Sequence, residues 1–333
     1  MSRWQQEGVG DGFHTSVLAR EVCEGLLPAL TASGPQSPPS GVLLDATCGA
    51  AGHVLALVAA GAPLRQLIAF DRDAEALAHA SDRLRHVEFA VRMFHAPFSA
   101  LADRLAEAGV SAVNAIIADL GVSSHQLDTG ARGFSFRSDA PLDMRMDASR
   151  GAPLSERLVG LDVPSLARIL WRYGEEPDAQ RIATAILREG PTRTLALADV
   201  VSAAMSARKR RALGRRIHPA TRTFQALRIW VNGELEELER FLEVAPGYLC
   251  VGGRLAVISF HSLEDRRVKQ RFRSLSRAPE LPRQIPLRES ERPVARFAVP
   301  SGWASGRAAS TEERGLNPRA RSARLRLLER RCP

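Results

Sequence analysis

Apolar segments of strand length alternate with amphipathic segments of helix length through the first 120 residues of this chain. Strands are predicted at residues 41–49, 66–71, 88–94 and 113–119. Helices are predicted at residues 53–61, from an N-cap at Asp73 to about residue 85, and at 99–109. Parallel strands need crossover connections of this length, so the alternation predicts a parallel sheet covered by helices on both faces.

The alternation stops after Asp119 and resumes about a hundred residues later. Helical spacing of apolar residues dominates the segments 163–174, 179–190 and 197–213, which predicts an all-helical insertion. A long amphipathic helix (221–249), an apolar strand (253–260) and a last strand (322–330) then complete the sheet. We therefore predict an α/β domain in two parts, 1–127 and 218–333, interrupted by a helical domain, 128–217.

Several predicted strands end in polar residues where a parallel sheet binds ligands. Asp45 opens the turn "DATCGAAGH" (45–53), Asp71 ends the second strand, and Asp119 ends the fourth. Asp71 stands 22 residues beyond Gly49, a spacing typical of a carboxylate that binds ribose hydroxyls. A carboxylate at Asp45 repels pyrophosphate but suits a cation. S-adenosylmethionine, with a ribose, a sulfonium and an ammonium, fits these residues.

Charge and composition indicate the class of partner. The chain of 333 residues has a formal net charge of +9, and Lys209 and Lys269 are its only lysines, so its other basic residues are arginine. Basic residues cluster at 208–216, 265–273 and 319–331, which is typical of a surface that binds a polyanion. A GC-rich genome would enrich arginine as well, so composition alone leaves both explanations open.

The cysteines and the hydropathy pattern set further expectations. Cys23, Cys48, Cys250 and Cys332 form no C-x-x-C pair, so no zinc site or other metal site is expected. No apolar run approaches the roughly 20 residues of a membrane span, and the first residues lack a secretory signal. We expect a cytoplasmic protein without a membrane partner.

Long motifs throughout the chain resemble the bacterial ribosomal RNA small-subunit methyltransferase H (MraW) family. They extend from residue 14 to about 326 and read "HTSVLAREV" (14–22), "DATCGAAGH" (45–53), "FDRD" (70–73), "DLGVSSHQLD" (119–128), "RGFSF" (132–136), "PLDMRMD" (141–147), "YGEE" (173–176), "HPATRTFQALRIWVNGEL" (218–235), "ISFHSLEDR" (258–266) and "NPRARSARLR" (317–326). The resemblance implies a class I S-adenosylmethionine-dependent methyltransferase (Rossmann-like) fold with an inserted helical domain. It also implies N4-methylation of a cytidine in the decoding region of 16S rRNA, with the small ribosomal subunit as partner.

The resemblance also implies which residues contact S-adenosylmethionine. They are Asp45, Gly49, Ala51, Gly52, His53, Asp71, Phe98, Asp119 and Gln126. Two departures from the family pattern bear on these contacts. The family turn G-R-G-G-H reads G-A-A-G-H here, which places Ala51 where glycine is usual, and His125 stands where the family tends to have proline, in the loop that carries Gln126. We expect cofactor binding to survive if Ala51 adopts an ordinary negative φ.

Asp119 is the predicted catalytic residue, and other residues are candidates for holding the base. Because "DLGV" lacks the prolines and the aromatic residue found in many amine methyltransferases, the stacking group must come from elsewhere. Candidates for contacting substrate are Phe134, Phe136, His218, Arg222, Phe260 and His261. For each phenylalanine, packing in a core is the favoured alternative, whereas the 218–225 segment could equally pack on the insertion.

The predicted mechanism is direct in-line transfer to the exocyclic amine, which is mostly a matter of positioning. Methylation at cytosine C5 would need a cysteine nucleophile, and none is well placed. Two alternatives stay open: a methyltransferase acting on protein or a small molecule, and a catalytically weak RNA-binding factor for ribosome assembly. The oligomeric state also stays open, with a homodimer among the alternatives.

Overall fold

The computed structural model describes residues 16–32, 41–123, 126–127, 129–213, 218–278 and 294–332. The chain forms two compact units, one of residues 1–121 and 237–333 and one of residues 122–236. The predicted α/β fold class with an inserted helical region is confirmed. The second unit reaches Glu236, nineteen residues beyond the boundary predicted at residue 217.

The first unit is built on one mixed sheet. Its strands are β1 (Val42–Asp45), β2 (Gln66–Asp71), β3 (Ala90–His95), β4 (Val113–Asp119), β5 (Leu249–Ser259), β6 (Phe297–Ala298), β7 (Arg307–Ala308) and β8 (Arg324–Arg330). Their order in the sheet is β3-β2-β1-β4-β5-β8-β6, and the short strand β7 also pairs with β8. Strands β1 to β5 are parallel, and β8 runs antiparallel to β5.

Helices cover both faces of this sheet, as expected for parallel strands. Successive residues of a strand point to opposite faces, so Leu43 packs in one core and Leu44 in the other. The covering helices are α1 (Ala19–Thr31), α2 (Gly52–Ala59), α3 (Ala74–Arg83), α4 (Leu101–Glu107), α11 (Glu234–Val244) and α12 (Ser262–Leu275); a short α13 (Thr311–Leu316) precedes β8. The first core includes apolar residues of α1, α2 and α3, and the second includes those of α4, α11 and α12.

The second unit consists mainly of helices around a core of leucine and isoleucine. Leu166, Leu170, Ile182 and Ile186, at helical spacing, are all fully buried. The side chain of Asp162 accepts a hydrogen bond from Ser165 N and caps the second of these helices. The helices are α5 (Leu154–Val159), α6 (Val163–Gly174), α7 (Ala179–Glu189), α8 (Thr194–Ala204), α9 (Ala207–Leu213) and α10 (Thr221–Asn232).

Two predicted helices are each divided in the structure. The predicted helix 221–249 breaks at Gly233, which ends α10 with a left-handed φ of 59°. Helix α10 then belongs to the second unit with α6, which approaches it so closely that a Cβ at Gly174 would lie 2.7 Å from Arg222 O. The predicted helix 197–213 breaks at Met205, whose extended ψ of 141° separates α8 from α9.

Candidate active site

Three carboxylates meet at the carboxyl edge of the central strands. Asp45, Asp71 and Asp119 are the last residues of β1, β2 and β4, and β1 pairs with both of the other strands. Each aspartate stands two residues after one whose side chain packs in the core that contains α2: Leu43, Ala69 and Ile117. Strand alternation therefore turns all three carboxylates toward α2.

The turn between β1 and α2 is held by these neighbouring strands. Gly49 N donates to Asp71 Oδ2 at 2.8 Å, and Asp71 Oδ1 accepts from Asp73 N at 2.9 Å. The hydroxyl of Thr47 accepts from Asp119 N at 2.6 Å, while Thr47 N donates to Asp45 Oδ1 at 3.1 Å. These four hydrogen bonds fix the conformation of the turn.

His53, in the first turn of α2, contacts Asp119. Its Nε2 atom lies 3.3 Å from Asp119 Oδ2, and the His53 side chain is almost completely buried. The other polar atom of each side chain, Nδ1 of His53 and Oδ1 of Asp119, is buried without a hydrogen-bond partner among the described residues. A buried acceptor without a partner is costly, which makes Asp119 Oδ1 a candidate for holding a ligand.

Burial raises the pKa of two carboxyl groups at this edge, Asp45 and Asp71. Burial raises the pKa of Asp45 to about 7; the charges of Asp119 and Asp71 add to this, whereas His53 opposes it. Burial also raises the pKa of Asp71, against the hydrogen bonds from Asp73 N and Gly49 N. Burial by itself lowers the pKa of His53, but the hydrogen bond to Asp119 and the charges of Asp119, Asp45 and Glu313 outweigh it and raise the pKa. The site favours a cation.

Ala51 does not have the ordinary backbone on which its predicted contact with the cofactor was conditional, so that contact stays a prediction. It is the N-cap of α2 with φ 59° and ψ 25°, in the left-handed region. An L residue there costs roughly 1–2 kcal/mol relative to glycine. Its methyl group is fully buried in the core beside α1 and α2, so burial offsets part of that cost. Close packing continues at Gly52, where a Cβ would lie 2.1 Å from Ser16 Oγ.

Phe98 lies near the same sheet edge, in a 3-10 turn at Phe98–Ala100 just before α4. Its ring packs edge-on against Phe241 with centroids 5.1 Å apart, and the guanidinium of Arg72 lies 6.0 Å from its centroid. Arg72 directly follows Asp71. The half-buried ring of Phe98 is therefore fixed on one side and supported by the residue next to the second carboxylate.

Phe260 and His261, predicted as substrate contacts, have structural partners. Both follow β5, and a Cβ at Gly121 would lie 3.6 Å from the Phe260 ring. His261 caps α12: Glu264 N donates to its Nδ1 at 3.4 Å, and Glu264 Oε2 accepts from Phe260 N and His261 N. His261 Nε2 lies 3.2 Å from Glu264 Oε1 but makes no hydrogen bond of acceptable geometry with any described residue. This capping box was not predicted from the sequence.

The remaining predicted residues belong to the second unit. Gln126 is buried and accepts a hydrogen bond from Ser123 N at 3.1 Å. Phe134 is buried and packs as a core residue. Arg222 donates to Glu175 O at 2.9 Å and so ties α10 to the end of α6.

Phe136 and His218 form an aromatic pair within the second unit. Their ring centroids are 4.4 Å apart with planes tilted by 30°, and Phe136 also contacts Phe224 edge-on at 4.9 Å. Phe136 is half-buried and His218 is exposed. His218 Nδ1 accepts from Ala220 N at 3.1 Å, which fixes the orientation of the imidazole.

The carboxyl edge of the first unit fits S-adenosylmethionine. Asp119 Oδ1 is a buried acceptor without a partner among the described residues, and Asp45 is a buried carboxyl group whose pKa would fall beside a cation. Among the described residues, only Thr47 O, at 4.0 Å, lies near a Cβ built at Gly49, whose φ is +51°, so a ligand can approach this backbone closely. The described residues contain no group of three or more His, Cys, Asp or Glu that could hold a metal ion.

Comparison with known proteins identifies the family. The sequence profile of the MraW methylase family matches residues 11–331. This chain belongs to the MraW methylase family. Members of the family are S-adenosylmethionine-dependent, and S-adenosylmethionine is the cofactor of this chain.

Two relatives of this chain match it over almost its whole length. A ribosomal RNA small subunit methyltransferase H of Geotalea uraniireducens is 45% identical over 97% of this chain and 100% of its own length. The protein of the same name from Anaeromyxobacter sp. Fw109-5 is 46% identical over 96% of this chain and 99% of its own length. The crystal structure of an rRNA methylase from Streptococcus thermophilus aligns with a TM-score of 0.36 at 13% identity, over 94% of this chain and 93% of that one.

Within the ranges that the structure describes, every helix is too short or too polar to span a bilayer.

Proposed function

We propose that this protein methylates the N4 amine of a cytidine in the decoding region of 16S rRNA, by direct in-line transfer. Membership of the MraW methylase family and two relatives named ribosomal RNA small subunit methyltransferase H support the ribosomal substrate. The observation that carries the chemistry is the acceptor at Asp119: a buried carboxylate oxygen without a partner among the described residues, beside the strand ends that fit the cofactor.

Five residues would hold the cofactor in this proposal. The carboxylate of Asp71 would accept hydrogen bonds from the ribose hydroxyls. The turn at Gly49 would let the ligand approach the backbone closely. Asp45 and Asp119 attract the two cations, which offsets the cost of burying these carboxylates. Phe98 supplies an apolar surface. When bound, S-adenosylmethionine supplies a methyl group activated by its sulfonium.

Asp119 also acts on the substrate amine. The N4 lone pair is delocalised into the cytosine ring, so an acceptor that binds an amine hydrogen makes the nitrogen more nucleophilic. The amine loses a proton after it gains the methyl group, and Asp119 Oδ1 can accept that proton. His53 holds Asp119 Oδ2 at 3.3 Å and so orients Oδ1.

The state of the cysteines favours N4 over C5. Cytosine C5 methylation needs a thiolate that attacks the ring, and Cys48 is the cysteine of the cofactor turn. Burial raises the pKa of the Cys48 thiol well above its usual range, and the charges of Asp45 and Asp71 act in the same direction. Cys48 therefore stays a thiol at neutral pH and packs as a small apolar residue.

The Phe136–His218 pair is our candidate for the platform on which an unstacked base lies. RNA-binding proteins stack exposed bases on aromatic side chains. The ring of His218 is exposed, and Phe136 packs against it with the ring centroids 4.4 Å apart.

The location in the cytoplasm and the formation of a homodimer stay predictions.

The decisive experiment measures modified nucleosides in the substrate. Small ribosomal subunits from a strain lacking this protein are incubated with S-adenosylmethionine and either the natural protein or its Asp119→Asn variant. Mass spectrometry of the RNA nucleosides should detect N4-methylcytidine with the natural protein and roughly a hundredfold less, or lower still, with the variant. C5-methylcytidine, or an active variant, would contradict the proposal.

Calorimetry separates the enzyme from the alternative of a catalytically weak assembly factor. The natural protein should bind S-adenosylmethionine in the micromolar range, which is ordinary for an enzyme ligand. Binding to the small subunit without measurable cofactor binding would favour the assembly factor.

A further inference from the structure

Several charged residues of helix α12 have partners within the first unit. Glu264 is buried, and Asp265 forms a bidentate ion pair with Arg326 at 2.7 and 2.9 Å. Arg267 pairs at the surface with the exposed Glu239, and Arg271 donates to Leu242 O. These residues of the basic cluster 265–273 are thus already paired.

Three exposed cations lie further along the helix, on the row of residues at four-residue spacing that begins with the paired Asp265. Lys269, Arg273 and Arg277 are exposed, and no described side chain forms an ion pair or side-chain hydrogen bond with any of them. They follow one another at four-residue spacing, so Lys269 and Arg273 lie on one helix face about 6 Å apart along the axis. Arg277 follows just after the helix ends. We call these three residues the basic ridge.

The position of the basic ridge relates it to the site. Helix α12 begins immediately after β5, and Ile258 of β5 is the register partner of Asp119. The N-cap His261 therefore lies at the same sheet edge as the carboxylates. Lys269 stands eight residues further on, about 12 Å along the helix axis. The basic ridge thus begins about 12 Å along the helix from this edge and runs away from it.

We propose that the basic ridge binds the phosphate backbone of the RNA strand that flanks the target nucleotide. This inference rests on the proposed function, because it needs an RNA substrate. Single-stranded RNA presents evenly spaced anions, and exposed cations bind them by releasing counterions. A row of cations whose acidic neighbours on the helix are buried or paired gives sequence-independent binding, while the base is selected elsewhere.

The structure also suggests another reason for these cations. Arg273 and Arg277 stand at the carboxyl end of α12, where cations stabilise the helix dipole. Under that explanation the ridge would affect stability alone. RNA affinity and its salt dependence therefore distinguish the two roles, because a dipole effect leaves both unchanged.

The test compares the triple variant K269Q/R273Q/R277Q with a matched control. Arg65→Gln removes an arginine just before the amino end of β2, three strands away in the sheet from β5. Binding of each protein to small ribosomal subunits and to a single-stranded RNA of about 30 nucleotides is measured from about 50 to 300 mM KCl, a range over which phosphate binding weakens strongly. Thermal unfolding and S-adenosylmethionine affinity are measured in parallel.

We expect the triple variant to bind both RNAs about tenfold more weakly, or weaker still, at about 100 mM salt. The slope of log affinity against log salt should shrink by about 0.7 for each phosphate on single-stranded RNA that the variant no longer neutralises. Cofactor affinity should stay unchanged, and Arg65→Gln should behave as the natural protein. Unchanged RNA affinity and slope in the triple variant, or an equal weakening in Arg65→Gln, would overturn the inference.

The two proposals fail in different ways. If the triple variant binds RNA normally while the natural protein still produces N4-methylcytidine, the basic ridge is wrong and the proposed function stands. If the natural protein neither binds nor methylates either RNA, both are wrong.

Discussion

The buried side chain of His53 contacts the partly exposed side chain of Asp119, and each keeps one buried polar atom unused by the described residues. The 3.3 Å contact between His53 Nε2 and Asp119 Oδ2 joins the first turn of α2 to the end of β4. A hydrogen-bonded partner restricts the rotation of a carboxylate, so the contact decides where Asp119 Oδ1 points. The relation explains why a histidine, and not an apolar residue, stands inside this core.

Replacing His53 should therefore reduce turnover more than cofactor binding. We expect His53→Leu to lower kcat about a hundredfold, because Asp119 loses its orientation. His53→Gln keeps an N–H donor and should lose about tenfold or less. Steady-state kinetics would measure both, with calorimetry of S-adenosylmethionine as the control. Equal losses in the two variants would indicate that the hydrogen bond has no role.

Asp45 should make the protein less stable as the pH rises. Its pKa in the folded protein is about 7, above the usual value of 3.8, so the folded state holds the proton more tightly than the unfolded state. The stability from this proton is complete below about pH 4 and is lost as the pH rises to about 7. The raised pKa of His53 acts in the same direction.

Asp45→Asn should remove most of this pH dependence while keeping an acceptor for Thr47 N. The natural protein should lose stability on the order of 4 kcal/mol between about pH 4 and pH 8, and the variant much less. Urea denaturation at several pH values would measure both. A natural protein that is equally stable at about pH 5 and pH 8 would contradict the raised pKa.

Substitutions at Ala51 measure how much its left-handed backbone conformation costs in the free energy of unfolding. Ala51→Gly should change the free energy of unfolding by less than about 1 kcal/mol, because relief of the backbone is offset by removal of the methyl group and a more flexible unfolded chain. Ala51→Val should destabilise by about 2 kcal/mol or more, since a β-branched residue strongly disfavours positive φ. Chemical denaturation measures both variants. A stable Ala51→Val protein would show that the turn can adopt another backbone.

Lys209 should stabilise the second unit, although it lies in a basic cluster. It pairs with Glu176, which is completely buried, so Lys209→Met would leave a buried carboxylate without its cation. We expect a loss of about 3 kcal/mol. Arg210→Met, one residue further on at an exposed position of α9, is the control and should change stability by less than about 0.5 kcal/mol. Equal stabilities of the two variants would argue against the pair.

Much of the first unit could be predicted because its strands are apolar runs with sharp polar ends. Strands β2 and β4 have the predicted bounds, and Asp73 caps α3 as predicted. Helix α1 was missed, although Val22, Leu26 and Leu30 are buried at four-residue spacing. That signal was present in the sequence and was interpreted as a motif instead of a helix.

Partnerships between distant residues could not be predicted, since they depend on tertiary packing. Nothing in the motif "GAAGH" indicates that His53 contacts a carboxylate 66 residues later. Likewise, only the structure shows that Lys209 turns inward and Lys269 outward, although both belong to basic clusters. Ala51 illustrates the same limit, because composition could not show that alanine would adopt a positive φ in this turn.

The strand order affects how this protein must be made. Strand β5 is apolar along most of its length, and its neighbour β8 comes from far along the chain, with Arg254 paired to Glu329 across 75 residues. During synthesis β5 emerges long before β8 can cover it. An open apolar edge is a template for pairing with other chains. A nascent chain that stalls between these two strands would leave this edge open to pairing with other chains.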